Sequence, residues 1–308
     1  MWVQSKTAKM AFMKSLFEIA KLIYPESARK RARFVFRTVV RGKKYIDEMQ
    51  VVFELGKLKD AIAANPKQYE KIFRPYLFAS LKLSDRMKYV KNHYEFIVQN
   101  WSKRLIDAVY VDRYFELAKM RFSDDAESSF SIILSREPSF ANEGEIYIAV
   151  CDANGSRIFA LNFNFTKSEC GNGILIGCMQ GPASDDARNV VKQLTKEMHG
   201  LRPHHLLTFA LQQIAQVYKL CEVIAVTTAG HVYNATGRGE RIKTDYDGFW
   251  EEASGNKIND NFYALPLIEE RKSMEEIKSN KRAMYRRRFE MMDDISEQIR
   301  ISLSTVNE

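Results

Sequence analysis

"EIYIAVCDANGSRIFALNFNF", residues 145–165, is the stretch on which the fold turns. Two runs rich in β-branched and aromatic residues, 146–151 and 158–165, flank Asn154-Gly155. An Asn-Gly step tolerates the left-handed backbone that a two-residue hairpin turn demands, so the pair reads as a β-hairpin. Phe159, Leu161, Phe163 and Phe165 fall on alternate positions, so the second strand is expected to bury one face. "SFSIILSRE" (129–137) and "GILIGCMQ" (173–180) extend the same character on either side. A short antiparallel sheet is predicted.

Beyond the sheet, helical periodicity returns near 185–198 and 203–219. "CEVIAVTT" (221–228) reads as a buried strand and "FYALPLIEE" (262–270) as one more, before a long charged helix over 273–302. Toward the N-terminus the pattern is helical near 7–23, 27–41, 44–64, 67–79, 84–100 and 102–120, with breaks at Pro25, Gly42, Pro66 and Ser84. Pro75 interrupts the fourth of these. The expected class is therefore α+β. An all-helical region over 1–125 precedes a domain over 126–308, which carries a mixed, largely antiparallel sheet, packed helices and a long basic C-terminal helix.

With 308 residues, 45% of them hydrophobic, the chain can bury a sizeable core. The net charge of +8 favours anionic partners, an acidic membrane surface or a polyanionic ligand. Nucleic acid is disfavoured, because no reader motif accompanies the charge. Cys151, Cys170, Cys178 and Cys221 show no CxxC or metal spacing, so no metal is expected. They read as reduced, structural cysteines of a cytoplasmic protein, with a disulfide between two of them left open. The first 26 residues are interrupted by Lys14, Glu18 and Lys21 and do not form a secretory signal.

The segment 177–220 holds three of the five histidines and the turn Gly200-Leu201-Arg202 before Pro203. Proline suits a first helical turn, so this turn delivers Arg202 and free N–H groups to a helix start, a site for an anion. Lys196 and His199 are expected to converge on it, with Gln180 and Gly181 alongside. The plainer reading is a helix–turn–helix in which Gly200 ends one helix and Pro203 begins the next. His199 and His231, both beside turns, are candidates for acid–base work. "DYDGFWEEASG" (245–255) adds Asp245 and Trp250, and "KRAMYRRRFE" (281–290) adds Lys281 and Arg282. Arg29, Arg33, Arg37 and Arg41, spaced by four, form a cationic helix stripe suited to acidic lipid or polyanion, or else a solvated face.

The order "MQG … TK..HGLRP … L..FAL … H.Y … DYD.FW.E … LP … I.S.KRAMYRRR" resembles the VirK/YbjX family of enterobacteria. That resemblance implies a virulence-associated factor in envelope biogenesis or surface-protein production, linked to antimicrobial-peptide resistance. Its partners would be an envelope or virulence protein, or the inner membrane approached from the cytoplasm. It implies no catalytic mechanism or cofactor, so an enzyme and a binding protein both stay open. A second resemblance is architectural: hairpin, third strand, helix and short strand are similar to the core of GNAT-type acyltransferases. There a helix start after a strand holds the pyrophosphate of an acyl-carrier cofactor. Here the Arg/Gln-x-x-Gly-x-Gly/Ala loop is absent and an extra helix intervenes, so acyl-CoA or another phosphorylated cofactor at 177–205 is an analogy.

Overall fold

The computed structural model describes residues 13–54, 56–121, 129–182 and 186–307. The predicted start of the first helix (7–12), position 185 and the 125/126 boundary lie outside them. Serines begin the first helices: Ser15 forms a capping box with Glu18 at α1 (Leu16–Ile23), and Ser27 caps α2 (Ala28–Arg41). Then come α3 (Lys43–Phe53), α4 (Lys59–Ala64), a 3-10 segment Pro66–Phe73 and α5 (Leu83–Asn100). The predicted 44–64 helix is thus two helices. The predicted 67–79 helix is only the 3-10 segment, because Pro75 lacks the N–H that a helix would need.

A larger correction concerns 102–120. The helix α6 (Lys103–Asp107) passes into a π-turn, Ala108–Asp112, and stops where Arg113 takes a left-handed conformation (φ 60°). Residues predicted as helix then form the edge strand β1 (Phe115–Arg121). Its outer backbone is satisfied by the C-terminal helix α10 (Arg282–Asn307). The Gln298 amide accepts from Lys119 N–H and donates to Lys119 C=O, and Ser302 donates to Leu117 C=O. The strand is legible only with α10 in place, because a covered edge strand need not show strict alternation.

The sheet continues through β2 (Ser129–Ser135), the hairpin β3 (Ile146–Cys151) and β4 (Arg157–Lys167), and β5 (Asn172–Gln180). Two helices follow, α7 (Ala187–Glu197) and α8 (Pro203–Val217), then β6 (Glu222–Val226), α9 (Tyr246–Glu252) and the hairpin β7 (Asn256–Asn259) and β8 (Phe262–Leu265). The strand order is β1-β2-β3-β4-β5-β6-β8-β7, antiparallel throughout except for the parallel pair β5/β6. This is the expected α+β class. β4 departs from expectation by burying both faces: Ala160 packs with Phe140 and Tyr147, while Asn164 bonds Glu145 N–H and the Tyr76 hydroxyl. Helix α8 lies on β3–β6, α10 packs on α8 and β1, and α5 packs on β4.

The cysteine reading is corrected in part. The register of β5 against β6 sets Gly173 opposite Glu222, which brings the residues just before them together, and Cys170 is bonded to Cys221. Cys151 and Cys178 are free and buried.

Candidate functional site

The parallel ladder is short. β5 pairs with β6 only over 173–176 against 222–225, after which the two strands part. In open α/β sheets ligands bind beyond the carboxyl ends of such strands, where the order of connection changes. Here the gap is held by specific side chains. The Tyr246 hydroxyl, from α9, donates to Met179 C=O (3.2 Å) and lies 3.3 Å from Cys178 Sγ, in place of the missing ladder partner. Residues 77–79 cross the gap from the N-terminal half, with Leu77 N–H on Asn142 C=O and Ala79 N–H on Gly230 C=O. That crossing draws the 142–144 turn and the 230–231 turn toward each other.

Glu143, His231 and Cys178 meet there, all buried, with their ligand-type atoms within 4.8 Å of one another. Glu143 Oε1 stands 3.8 Å from His231 Nε2, and neither carboxyl oxygen nor Nε2 has a hydrogen bond of standard geometry. Burial pushes the Glu143 carboxyl up to about 7, with the nearby Tyr233 and Cys178 pulling it back. Burial likewise lowers His231 to about 4, so the ring is neutral at physiological pH. Its tautomer follows from its partner: Tyr233 N–H donates to His231 Nδ1 (3.2 Å), which leaves the proton on Nε2. Nε2–H is then a donor without a lone pair for a metal, so the trio is suited to moving protons rather than to holding zinc. The Cys178 thiol is raised by burial and stays protonated, which disqualifies it as a nucleophile.

Glu143 and His231, with Tyr233, form the floor of a cavity of about 910 Å³. Its walls include Phe159, Tyr246 and Phe249, and its mouth carries Arg188, Arg202, Arg241 and Lys243, all exposed. The first residues of α7, Ala187 and Arg188, also open onto it, and no side chain caps that helix start. A helix start beside four cations favours an anion.

Of the residues singled out from the sequence, Gln180, Gly181, Arg202, His231 and Asp245 line this cavity together. Asp245 also caps α9 through Gly248 N–H. Arg202 is paired with Glu252, which bonds His204 as well, so the start of α8 already has an acid beside it. Lys196 and His199 end α7 and are not among the cavity's walls. His199 takes a left-handed conformation (φ 52°), Gly200 N–H bonds Thr195 C=O, and Arg288 donates to the His199 carbonyl. That is a Schellman-type helix stop. Trp250 is fully buried and donates to Val226 C=O, while Lys281 and Arg282 stand exposed at the start of α10, where Arg282 donates to Ile277 C=O. Glu143, Tyr233, Arg241 and Lys243 were not singled out. The one sequence signal for Glu143 is an acid in the turn before a wholly apolar strand.

Gly177 sets how closely β5 approaches the Glu143 turn. A Cβ there would overlap the Glu143 carbonyl oxygen, so the glycine lets the Glu143 turn lie against β5. Gly177→Ala is expected to destabilise by about 3 kcal/mol or more, since backbone rather than a flexible side chain must move. A melting temperature within about 2 °C of wild type would refute that close fit.

The family model described as "Protein of unknown function (DUF535)" matches residues 25–301. The chain belongs to that family. It is 26% identical to the uncharacterized protein YbjX of Escherichia coli K12 over 272 residues, 87% of this chain and 82% of that protein. It is 37% identical over 155 residues to an uncharacterized protein of Haemophilus influenzae, a match spanning half of this chain and 51% of that relative. No solved structure matches.

Proposed function

We propose that this DUF535 chain is a group-transfer enzyme of the acyltransferase type, in which the gap between β5 and β6 holds an acyl group on an anionic carrier. The observation that carries this reading is a carboxyl group with a pKa near 7 at the floor of a cation-rimmed cavity where a parallel strand pair opens. A buried carboxyl poised near neutrality is what a general base requires. Glu143 would take the proton of an attacking amine or hydroxyl, by way of Tyr233 where the acceptor stays in the outer cavity. His231 Nε2–H would stabilise the oxygen on which charge develops at the acyl carbonyl. The Tyr233 phenol, raised by burial to about 12, keeps a proton that the departing carrier can accept. The cofactor's phosphates would lie at the start of α7 among Arg188, Arg241 and Lys243, in place of the absent glycine-rich loop.

The resemblance to VirK-type members gives such chemistry a setting, the modification of an envelope component in virulence. Thermal unfolding against acyl-CoA compounds tests the assignment. A carrier at 100 times its Kd adds about 2.7 kcal/mol and raises the melting temperature by a few degrees. The rise should vanish in Arg188→Gln/Arg241→Gln/Lys243→Gln. No rise with any acyl-CoA, or a rise indifferent to those substitutions, would reject it.

A further inference from the structure

The first two helices carry a surface that plays no part in the cavity. Residues 13–42 hold eight Lys and Arg against two Glu, an excess of six beside a net charge of +8 for the whole chain. This helical hairpin is therefore strongly cationic. The same hairpin exposes large apolar side chains: Phe17 is 74% exposed and Phe36 69%, with Leu22, Val39 and Val40 also exposed. On α2, Arg29, Arg33, Phe36 and Val40 stand at i, i+4, i+7 and i+11, so cations and apolar residues share one outward face. Phe34 and Thr38 face the core instead. Between α1 and α2 lies a cavity of about 860 Å³ lined by Ala20, Ala28, Ala32 and Val35, with Phe17 and Phe36 beside it. Arg37 leaves the stripe expected from the spacing of four, because its guanidinium donates to Phe73 C=O and stacks on that ring.

We infer that the α1–α2 hairpin docks on an anionic phospholipid surface, with Phe17 and Phe36 entering the acyl region and Arg29, Lys30, Arg33 and Arg41 at the headgroup phosphates. A soluble protein face has little reason to pair exposed phenylalanines with cations that have no ion-pair partner among the described residues. A bilayer satisfies both at once, and stable attachment takes both signals. The charge selects lipid: acidic headgroups oppose every cation of the rim, and the groove of small residues admits one acyl chain.

The test is flotation of the full chain with vesicles of phosphatidylcholine alone and of phosphatidylcholine mixed with phosphatidylglycerol. Wild type should float with the mixed vesicles and not with the neutral ones, and high salt should weaken binding. Arg29→Gln/Arg33→Gln should lose at least about tenfold in partitioning, since each cation near an acidic surface contributes roughly fivefold. Phe17→Ser/Phe36→Ser should lose at least about tenfold at unchanged charge. Neither pair should alter the melting temperature, because all four side chains are exposed. Vesicle binding that survives the phenylalanine changes would overturn the inference. So would wild type that ignores the vesicles and instead self-associates through Phe17 and Phe36.

Discussion

Glu143→Gln is expected to abolish transfer activity while making the protein more stable above pH 7. The sign follows from linkage. Burial raises the Glu143 carboxyl from its ordinary 4.5 to about 7, so between those values the folded protein holds a proton that the unfolded chain has lost. Stability then falls as pH rises through that window, and above pH 7 the full penalty stands, roughly 2–3 kcal/mol. Gln keeps the shape and never ionises, so the fall that Glu143 imposes on wild type between about pH 4.5 and 7 should be missing from the variant. His231 works in the opposite sense. Its folded pKa of about 4 lies below the ordinary 6.5, so the stability it contributes is present above 6.5 and lost as pH falls toward 4. The two slopes offset each other between about pH 4.5 and 6.5, so wild type should change little there while the Gln variant gains stability as pH rises. Activity should rise with pH through an apparent pKa near 7, as the base loses its proton. A Gln variant whose stability runs parallel to wild type from about pH 4.5 to 7 would show that Glu143 is not the group held protonated.

The hairpin at 145–165, the third strand and the two helices after it were legible because each carries a strong local signal: a glycine at the turn, apolar residues on alternate positions, proline at a helix start. The turn itself spans 152–156 rather than two residues, with Gly155 and not Asn154 left-handed. The sheet's outer strands were not. Residues 115–120 read as helix because Ala118, Lys119 and Met120 suit a helix well, whereas the ladder with β2 and the Gln298 and Ser302 contacts from the far end of the chain make them a strand. β7 (Asn256–Asn259) is exposed at every position and gives no apolar pattern at all. At the cavity, Arg202, Gln180, Gly181, His231 and Asp245 were visible as motif residues near turns. Glu143 was not, because its raised pKa depends on burial by residues 77–79 and 230–231, which lie far from it in sequence. His199 illustrates the converse: a histidine in a turn looked chemical, whereas its backbone ends a helix.

Glu145→Ala is expected to have the largest stability cost of any single substitution considered, roughly 3–5 kcal/mol. Glu145 is buried and accepts from Gln68 Nε2 (3.0 Å), Tyr76 (2.9 Å) and Tyr94 (3.1 Å), with Lys71 Nζ at 3.0 Å. Burial pushes its pKa up, but the charges of Lys71 and Arg136 outweigh that and hold the carboxyl below its ordinary range, ionised. Lys71 in turn is lowered by burial to about 8, with the attraction of Glu145 resisting. Truncating the acid strands a buried ammonium and orphans three donors, and a buried charge left without its partner is among the costliest defects a core can carry. Lys71→Met should cost less, because the carboxylate keeps its three hydrogen bonds and the nearby Arg136. The donors belong to residues 68–94 and the acceptor to the turn that enters β3, so the loss should lower one cooperative transition rather than split it in two. Denaturant unfolding followed by both far-UV and near-UV signals decides the matter. A cost below about 1 kcal/mol would mean that Glu145 is protonated in the folded protein. Two separated transitions would mean that the helical region and the sheet do not depend on this junction, and that the Glu143 turn, two residues away, is held in place by the sheet alone.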